Sequence, residues 1–303
     1  MRAIIFVVLS ILSGHFLFAQ ELFRDHMYDQ INRLTMTYAD TLKTDVYYVP
    51  GKSGNERSPL ILLVHGGGFY TGKRNGDLET AFAMDLAGRG YVVASMEYDL
   101  TRKGEKTGFG CDCPAPEKLE TFRQAVVNID QALDYLLKFS NEFHFDPDKI
   151  VLAGSSAGAE SVLHAAYAGD HAAFQGVMDD NRKISAVISF AGALITEVHI
   201  DEQNAVPAFL VHGTDDKLVP YATAPHHYCR EDAPGYLSLK GSSSLAGELR
   251  QNDASFVFLT SEGGGHEWAN KAYELTEEIS TFLYELLVQK KDRQVNRVIS
   301  SKP

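Results

Sequence analysis

The chain has 303 residues, 45% of them hydrophobic and 22% charged, an ordinary globular composition long enough for one large α/β domain or two small ones. Its formal charge of −12 repels phosphate backbones and anionic headgroups, so nucleic acid and membrane surfaces are poor partners, and no run of Lys or Arg makes a local exception.

The chain opens with Arg2, an apolar stretch from Ala3 to Leu12, and Phe18-Ala19-Gln20. A positive start, a short apolar run and a small residue before the cut describe a secretory leader. Residues 1–19 are therefore expected to be a signal peptide cleaved near Ala19, which places the chain outside the cell or in a periplasm. The competing reading, a membrane anchor, is disfavoured because Ser10, Ser13, Gly14 and His15 interrupt the stretch. Losing Arg2 takes the charge from −12 to −13. No later segment has the apolar length of a span, so the mature chain is expected to have none.

Residues 20–41 read as an N-terminal extension, 42–289 as one catalytic domain, and 290–303 as a charged, frayed tail. Within the domain, Thr44–Val49 alternates like a strand, and Leu60–Val64 is a continuous apolar run, as in a strand covered on both faces. Leu78–Ala87 reads as a helix stopped by Gly88 and Gly90, and Tyr91–Ser95 as the next strand. Leu119, Phe122, Val126, Ile129, Leu133 and Leu136 recur at steps of three and four, one helix face that begins after Pro114 and Pro116. Further strands are expected at Ile150–Ala153, Ile184–Phe190, Ala208–Val211 and Phe256–Leu259. A helix follows Ala157, and a long final helix covers Trp268–Leu287. Strands separated by helices predict a mainly parallel sheet with helices on both faces, whose ligands bind beyond the carboxyl ends of the strands.

The motifs fall at those ends. Gly154-Ser155-Ser156-Ala157-Gly158 follows one strand and opens a helix. A serine hydroxyl is a weak nucleophile that must be exposed and set beside a base, and a sharp glycine-flanked strand-to-helix turn does this. His65-Gly66-Gly67-Gly68-Phe69 follows Leu60–Val64, and successive glycines let backbone N–H groups aim into a cavity where an oxyanion develops. No Lys-Ser/Thr pair follows, so this is not a nucleotide-binding loop. Asp215-Asp216 and Gly263-Gly264-Gly265-His266 each follow a later strand.

In this order the motifs resemble the esterase and lipase branch of the α/β-hydrolases, near the hormone-sensitive-lipase-like and bacterial feruloyl or acetyl esterase groups, over about Leu42–Leu287. The resemblance implies an α/β-hydrolase fold in a single domain. It implies Ser156 as nucleophile, His266 as base and Asp216 as the acid, with Asp215 as runner-up. It also implies an oxyanion hole from the N–H groups of Gly67, Gly68 and Ala157, and no cofactor or metal. The substrate would be a small or polysaccharide-linked ester, of acetyl or feruloyl type. A prolyl-oligopeptidase-type peptidase and a catalytically silent binding protein are the alternatives. Two departures are Ser155, where relatives carry Asp or Glu, and Tyr98-Asp99-Leu100 in place of Tyr-Arg-Leu.

Other residues leave choices open. Cys229 could pair with Cys111 or Cys113, or all three could be free thiols; Cys-Asp-Cys alone is a weak metal signal. His226 and His227, adjacent and so pointing apart, are expected at the surface, and His164, two turns into the helix after Ser156, is expected to be packed or capping. Phe69, Tyr70, Phe109 and Trp268 lie beside the motif loops and could touch substrate or fill the core. The Thr101–Pro116 loop could border the pocket, braced by a disulfide, or be a solvated loop.

Overall fold

The computed structural model describes residues 21–54 and 56–300; the expected leader, residues 1–19, lies outside them. In chain order the strands are β1 (Asn32–Ala39), β2 (Leu42–Tyr48), β3 (Ser58–Val64), β4 (Val92–Met96), β5 (Phe145–Ser155), β6 (Ile184–Phe190), β7 (Ala193–Ile195), β8 (Ala208–Gly213), β9 (Thr223–Pro225), β10 (Ser238–Gly241), β11 (Phe256–Ser261) and β12 (Gln294–Ile299). The helices are α1 (Asp77–Gly88), α2 (Ala115–Leu137), α3 (Ala157–Tyr167), α4 (Ser242–Gln251), α5 (Trp268–Lys271) and α6 (Thr276–Leu287).

Nine strands form the main sheet in the order β1-β2-β4-β3-β5-β6-β8-β11-β12, while β7-β10-β9 make a small antiparallel sheet. The main sheet is parallel from β4 to β12 and antiparallel at β1–β2 and β2–β4. Every residue of β3 is buried because both sheet faces are covered. Leu60, Leu62 and Val64 face one apolar cluster, with Phe122, Ile129 and Leu133 of α2 and Val162 of α3. Ile61 and Leu63, pointing the other way, join Phe82 and Leu86 of α1 and Ile279 and Leu283 of α6. The α/β-hydrolase architecture read from the motifs is the one observed, in a single folded unit.

Three boundaries differ from the sequence reading. The tail is not frayed: β12 pairs in parallel with β11, and Val295 and Ile299 pack on the core beneath it. The N-terminal segment is part of the unit, since β1 forms a hairpin with β2 and Phe23 is buried with its carbonyl accepting the Tyr91 hydroxyl. The final helix is broken into α5, a 3-10 turn at Ala272–Glu274, and α6; Leu275 leaves helical geometry at ψ 33. At the break Tyr273 turns into the core against Phe82 and Phe190, a contact a straight amphipathic helix would not make.

Candidate active site

Ser156 follows β5 and caps α3 at φ 50, ψ −120, a region costly for a residue with a Cβ and typical of the sharp turn that lifts a nucleophile clear of the sheet. Its N–H donates to the Phe190 carbonyl at 2.8 Å. The turn needs α3 close against β3: a Cβ on Gly158 would stand 2.1 Å from the Val64 carbonyl oxygen. Ser155 donates its hydroxyl to the Ala269 carbonyl at 2.7 Å, tying the turn to the segment after His266. A neutral anchor thus occupies the place where relatives of the resemblance carry an acid.

β8 and β11 are parallel neighbours, so the loops at their carboxyl ends emerge side by side. The first carries Asp216 and the second His266. Ser156 Oγ lies 2.8 Å from His266 Nε2, and His266 Nδ1 lies 2.7 Å from Asp216 Oδ2. With the proton on Nδ1, the imidazole donates to Asp216 and accepts the Ser156 hydroxyl. Asp216 is fully buried, and its Oδ1 accepts the N–H groups of Leu218 and Val219 at 2.8 and 3.0 Å. His212 Nε2 stands 3.3 Å from Oδ2. Burial alone would raise this carboxyl, but the bonds from His212 and His266 outweigh it and hold Asp216 below the usual carboxylate range. Asp215, the runner-up, is exposed, and its N–H donates to the Gly264 carbonyl.

The glycine loop follows β3. Gly67 adopts φ +118, and a Cβ there would meet the Thr71 carbonyl oxygen at 2.2 Å, so only glycine makes this turn. Its carbonyl accepts the N–H groups of Tyr70 and Thr71, whereas the N–H groups of Gly67 and Gly68 donate to no other backbone group among the described residues. Ala157 opens α3, where the first N–H groups have no intrahelical partner. Gly67, Gly68 and Ala157 line a cavity of about 690 Å³ together with Ser156 and His266. The glycine loop and the N-terminus of α3 thus border the cavity that holds the serine hydroxyl, and a helix N-terminus favours negative charge. Among the described residues no group of three or more His, Cys, Asp or Glu could hold a metal ion.

Against known proteins, the BD-FAE family model matches residues 44–200. That is just over half of the chain. The chain belongs to the BD-FAE family. The matched region holds both glycine motifs and Ser156 and ends before Asp216 and His266. Gut esterase 1 of Caenorhabditis elegans is 32% identical over 107 residues, covering 35% of this chain and 18% of that protein. Lipase 2 of Geotrichum candidum is 26% identical over 153 residues, covering 50% of this chain and 27% of that one. The chain thus aligns with less than a third of the length of either curated relative. Among solved structures, Thermogutta terrifontis esterase 2 phosphorylated by paraoxon superposes with a TM-score of 0.59 at 19% identity, covering 84% of this chain and 94% of that one. The butyrate-bound form gives 0.58 at 20%, with 84% and 94% covered. At these identities the likeness shows the shared fold.

In this BD-FAE member the four aromatic candidates divide. Tyr70, 52% exposed, and Phe109 line the cavity. Phe69 does not: its positive φ of 62 turns the ring into the core, against Phe109, Phe122 and Tyr98. Trp268 does not either, being buried beside Gly264 beneath the His266 loop. The Thr101–Pro116 loop does border the cavity, through Gly108, Phe109 and Gly110. Arg102 braces it, donating to Gly108, Thr107 and Glu117 at 2.7 to 2.8 Å. A Cys111–Cys229 disulfide ties it to the segment after β9, and Cys113 is a buried free thiol.

His226 is not at the surface. The disulfide draws its turn against the loop, and the ring is buried against Phe109 at 5.2 Å, with His227 half-buried beside it. His164 is packed, stacked on Phe122. Sequence reasoning missed two further cavity carboxylates, Glu79 and Glu160. It also missed Lys118, fully buried and donating to the Gly235 carbonyl at 2.7 Å. Lys118 had a signal: with Phe122, Ala125 and Ile129 it falls on the apolar face of α2.

Proposed function

We propose that this BD-FAE family member is a serine hydrolase of carboxylic esters that works through an acyl-enzyme. The observation that carries the reading is the Ser156–His266–Asp216 hydrogen-bond chain, at 2.8 and 2.7 Å, on a cavity that Gly67, Gly68 and Ala157 also line. In this mechanism Ser156 Oγ attacks the ester carbonyl as His266 Nε2 takes its proton. Asp216 holds the imidazole in the tautomer that leaves Nε2 free to accept, and stabilises the cation that forms. The N–H groups of Gly67, Gly68 and Ala157 hold the oxyanion. His266 then protonates the departing alcohol, and water, activated by the same imidazole, releases the acid.

Small or carbohydrate-linked esters of acetyl or feruloyl type are the proposed substrates. The cavity volume is that of a small-ligand site, and the esterase and lipase names of the aligned relatives support an ester. Export is proposed from the leader-like residues 1–19, and a disulfide suits an oxidising compartment. The test is Ser156→Ala. Turnover of p-nitrophenyl acetate and covalent labelling by a fluorophosphonate should both vanish while the circular dichroism spectrum is kept. A variant that still turns over near the wild-type rate would sink the assignment.

A further inference from the structure

One turn into α3 from Ser156, Glu160 is 2% exposed and lines the same cavity as the serine. Residues four apart share a helix face, and side chains lean toward the N-terminus, so Glu160 is carried back toward the nucleophile's turn. Across from it stands His226, 1% exposed and also at the cavity wall. His226 Nε2 and Glu160 Oε1 are 3.4 Å apart, yet Glu160 Oε1 and His226 Nδ1 both lack a hydrogen-bond partner. Buried polar atoms are nearly always paired. Two orphans on one cavity wall, beside a reactive serine, are therefore places for a ligand group that supplies the missing bonds.

The charges nearby say which group. Burial pushes the Glu160 carboxyl well above its usual range, opposed by Lys118. Burial also pushes His226 well below its own, helped by His227 and Lys118. Both shifts favour the uncharged forms, and an uncharged acid and an uncharged imidazole each offer a donor and an acceptor. A cationic substrate would be repelled by Lys118. An anionic one would meet Asp216 and any ionised Glu160. A plain alkyl group would leave both orphans unpaired. A hydroxyl, which donates and accepts, completes them.

We propose that Glu160 and His226 form a polar subsite that selects esters carrying a hydroxyl group a few bonds from the scissile carbonyl. This rests on the esterase reading above. A site built to hydrogen-bond a hydroxyl discriminates strongly against the analogue lacking it.

The experiment compares kcat/KM for p-nitrophenyl butyrate with its 2- and 3-hydroxybutyrate counterparts, and for propyl acetate with glycerol monoacetate. Wild type, Glu160→Gln, Glu160→Leu and His226→Leu are measured, with fluorophosphonate labelling of each. The wild-type hydroxy-to-plain ratio should be about 10- to 100-fold in one series. It should fall to near one in both Leu variants, with Gln, which keeps a donor and an acceptor, between. A wild-type ratio near one throughout, or a ratio unchanged in both Leu variants, overturns the subsite. The wild-type ratio decides alone if the Leu variants do not fold. A chain that hydrolyses plain esters without hydroxyl preference loses the subsite and keeps the esterase reading. One that hydrolyses no ester and takes no label at Ser156 loses both.

Discussion

Asp216→Asn is the most informative single change, because the structure says how it should fail. The Asn carbonyl can replace Oδ1 and keep the N–H groups of Leu218 and Val219 at 2.8 and 3.0 Å. Its amide nitrogen then replaces Oδ2, 2.7 Å from His266 Nδ1. An amide nitrogen donates, so Nδ1 must give up its proton, and the proton moves to Nε2. That nitrogen faces Ser156 Oγ at 2.8 Å. The serine would then meet a donor where it needs an acceptor, with the loop geometry nearly intact. Losses of this kind are about 10⁴-fold in kcat, or about 5 kcal/mol of transition-state stabilisation. KM for p-nitrophenyl acetate should change little. Asp215→Asn is the control: Asp215 is exposed and makes its loop contact through the backbone, so its rate should stay within about twofold, as surface substitutions usually do. Circular dichroism establishes that both variants are folded. The reasoning is refuted if Asp216→Asn keeps more than a tenth of the wild-type kcat, or if Asp215→Asn falls as far.

The Cys111–Cys229 bridge closes a separation of 118 residues, so Cys229→Ser should lose about 2–5 kcal/mol of stability; equal melting temperatures for variant and oxidised wild type would exclude this. Gly158→Ala places a Cβ against the Val64 carbonyl and should cost about 1–3 kcal/mol or more by forcing α3 off β3, read as the urea midpoint. His164 is buried, its Nδ1–H donating to the Glu160 carbonyl and its pKa pushed down to about 4 by burial. The unfolded chain, with His near 6.5, binds that proton more readily, so the contribution of His164 is full above about pH 6.5 and is lost as pH falls toward 4. This amounts to roughly 3 kcal/mol. Urea unfolding of wild type and His164→Phe at pH 7.5 and 4.5 should show a steeper decline for wild type, and parallel declines would refute it.

The interior of the sheet was legible because Leu60–Val64, Ile150–Ala153, Ala208–Val211 and Phe256–Leu259 are short, fully buried apolar runs. The edge strands were not. β1 exposes five of its eight residues and β12 four of its six, so neither shows a buried apolar run, and the charges from Lys290 to Arg293 conceal Val295 and Ile299. The meeting of Ser156, Asp216 and His266 in space was legible for the opposite reason. Each stands in a short loop directly after a covered strand, where local turn chemistry and sheet order act together.

His226 shows where local reading ends. Two adjacent histidines carry no inward signal of their own. What buries His226 is a bridge to Cys111, Phe109 on the bridged loop, and Glu160 on the helix that Ser156 begins. The same loop is sewn to Pro234 and Gly235 by backbone bonds from Ala115 and to Cys111, and by the Lys118 ammonium. Ser156, Asp216 and His266 stand after β5, β8 and β11, whereas the His226 side of this wall hangs on segments inserted between strands, and Glu160 alone shares a helix with Ser156. If the proposed subsite holds, a change on the His226 side of the wall alters which ester is chosen without moving the hydrogen-bond chain from Ser156 to Asp216, and two unpaired buried polar atoms, Glu160 Oε1 and His226 Nδ1, lie in that wall.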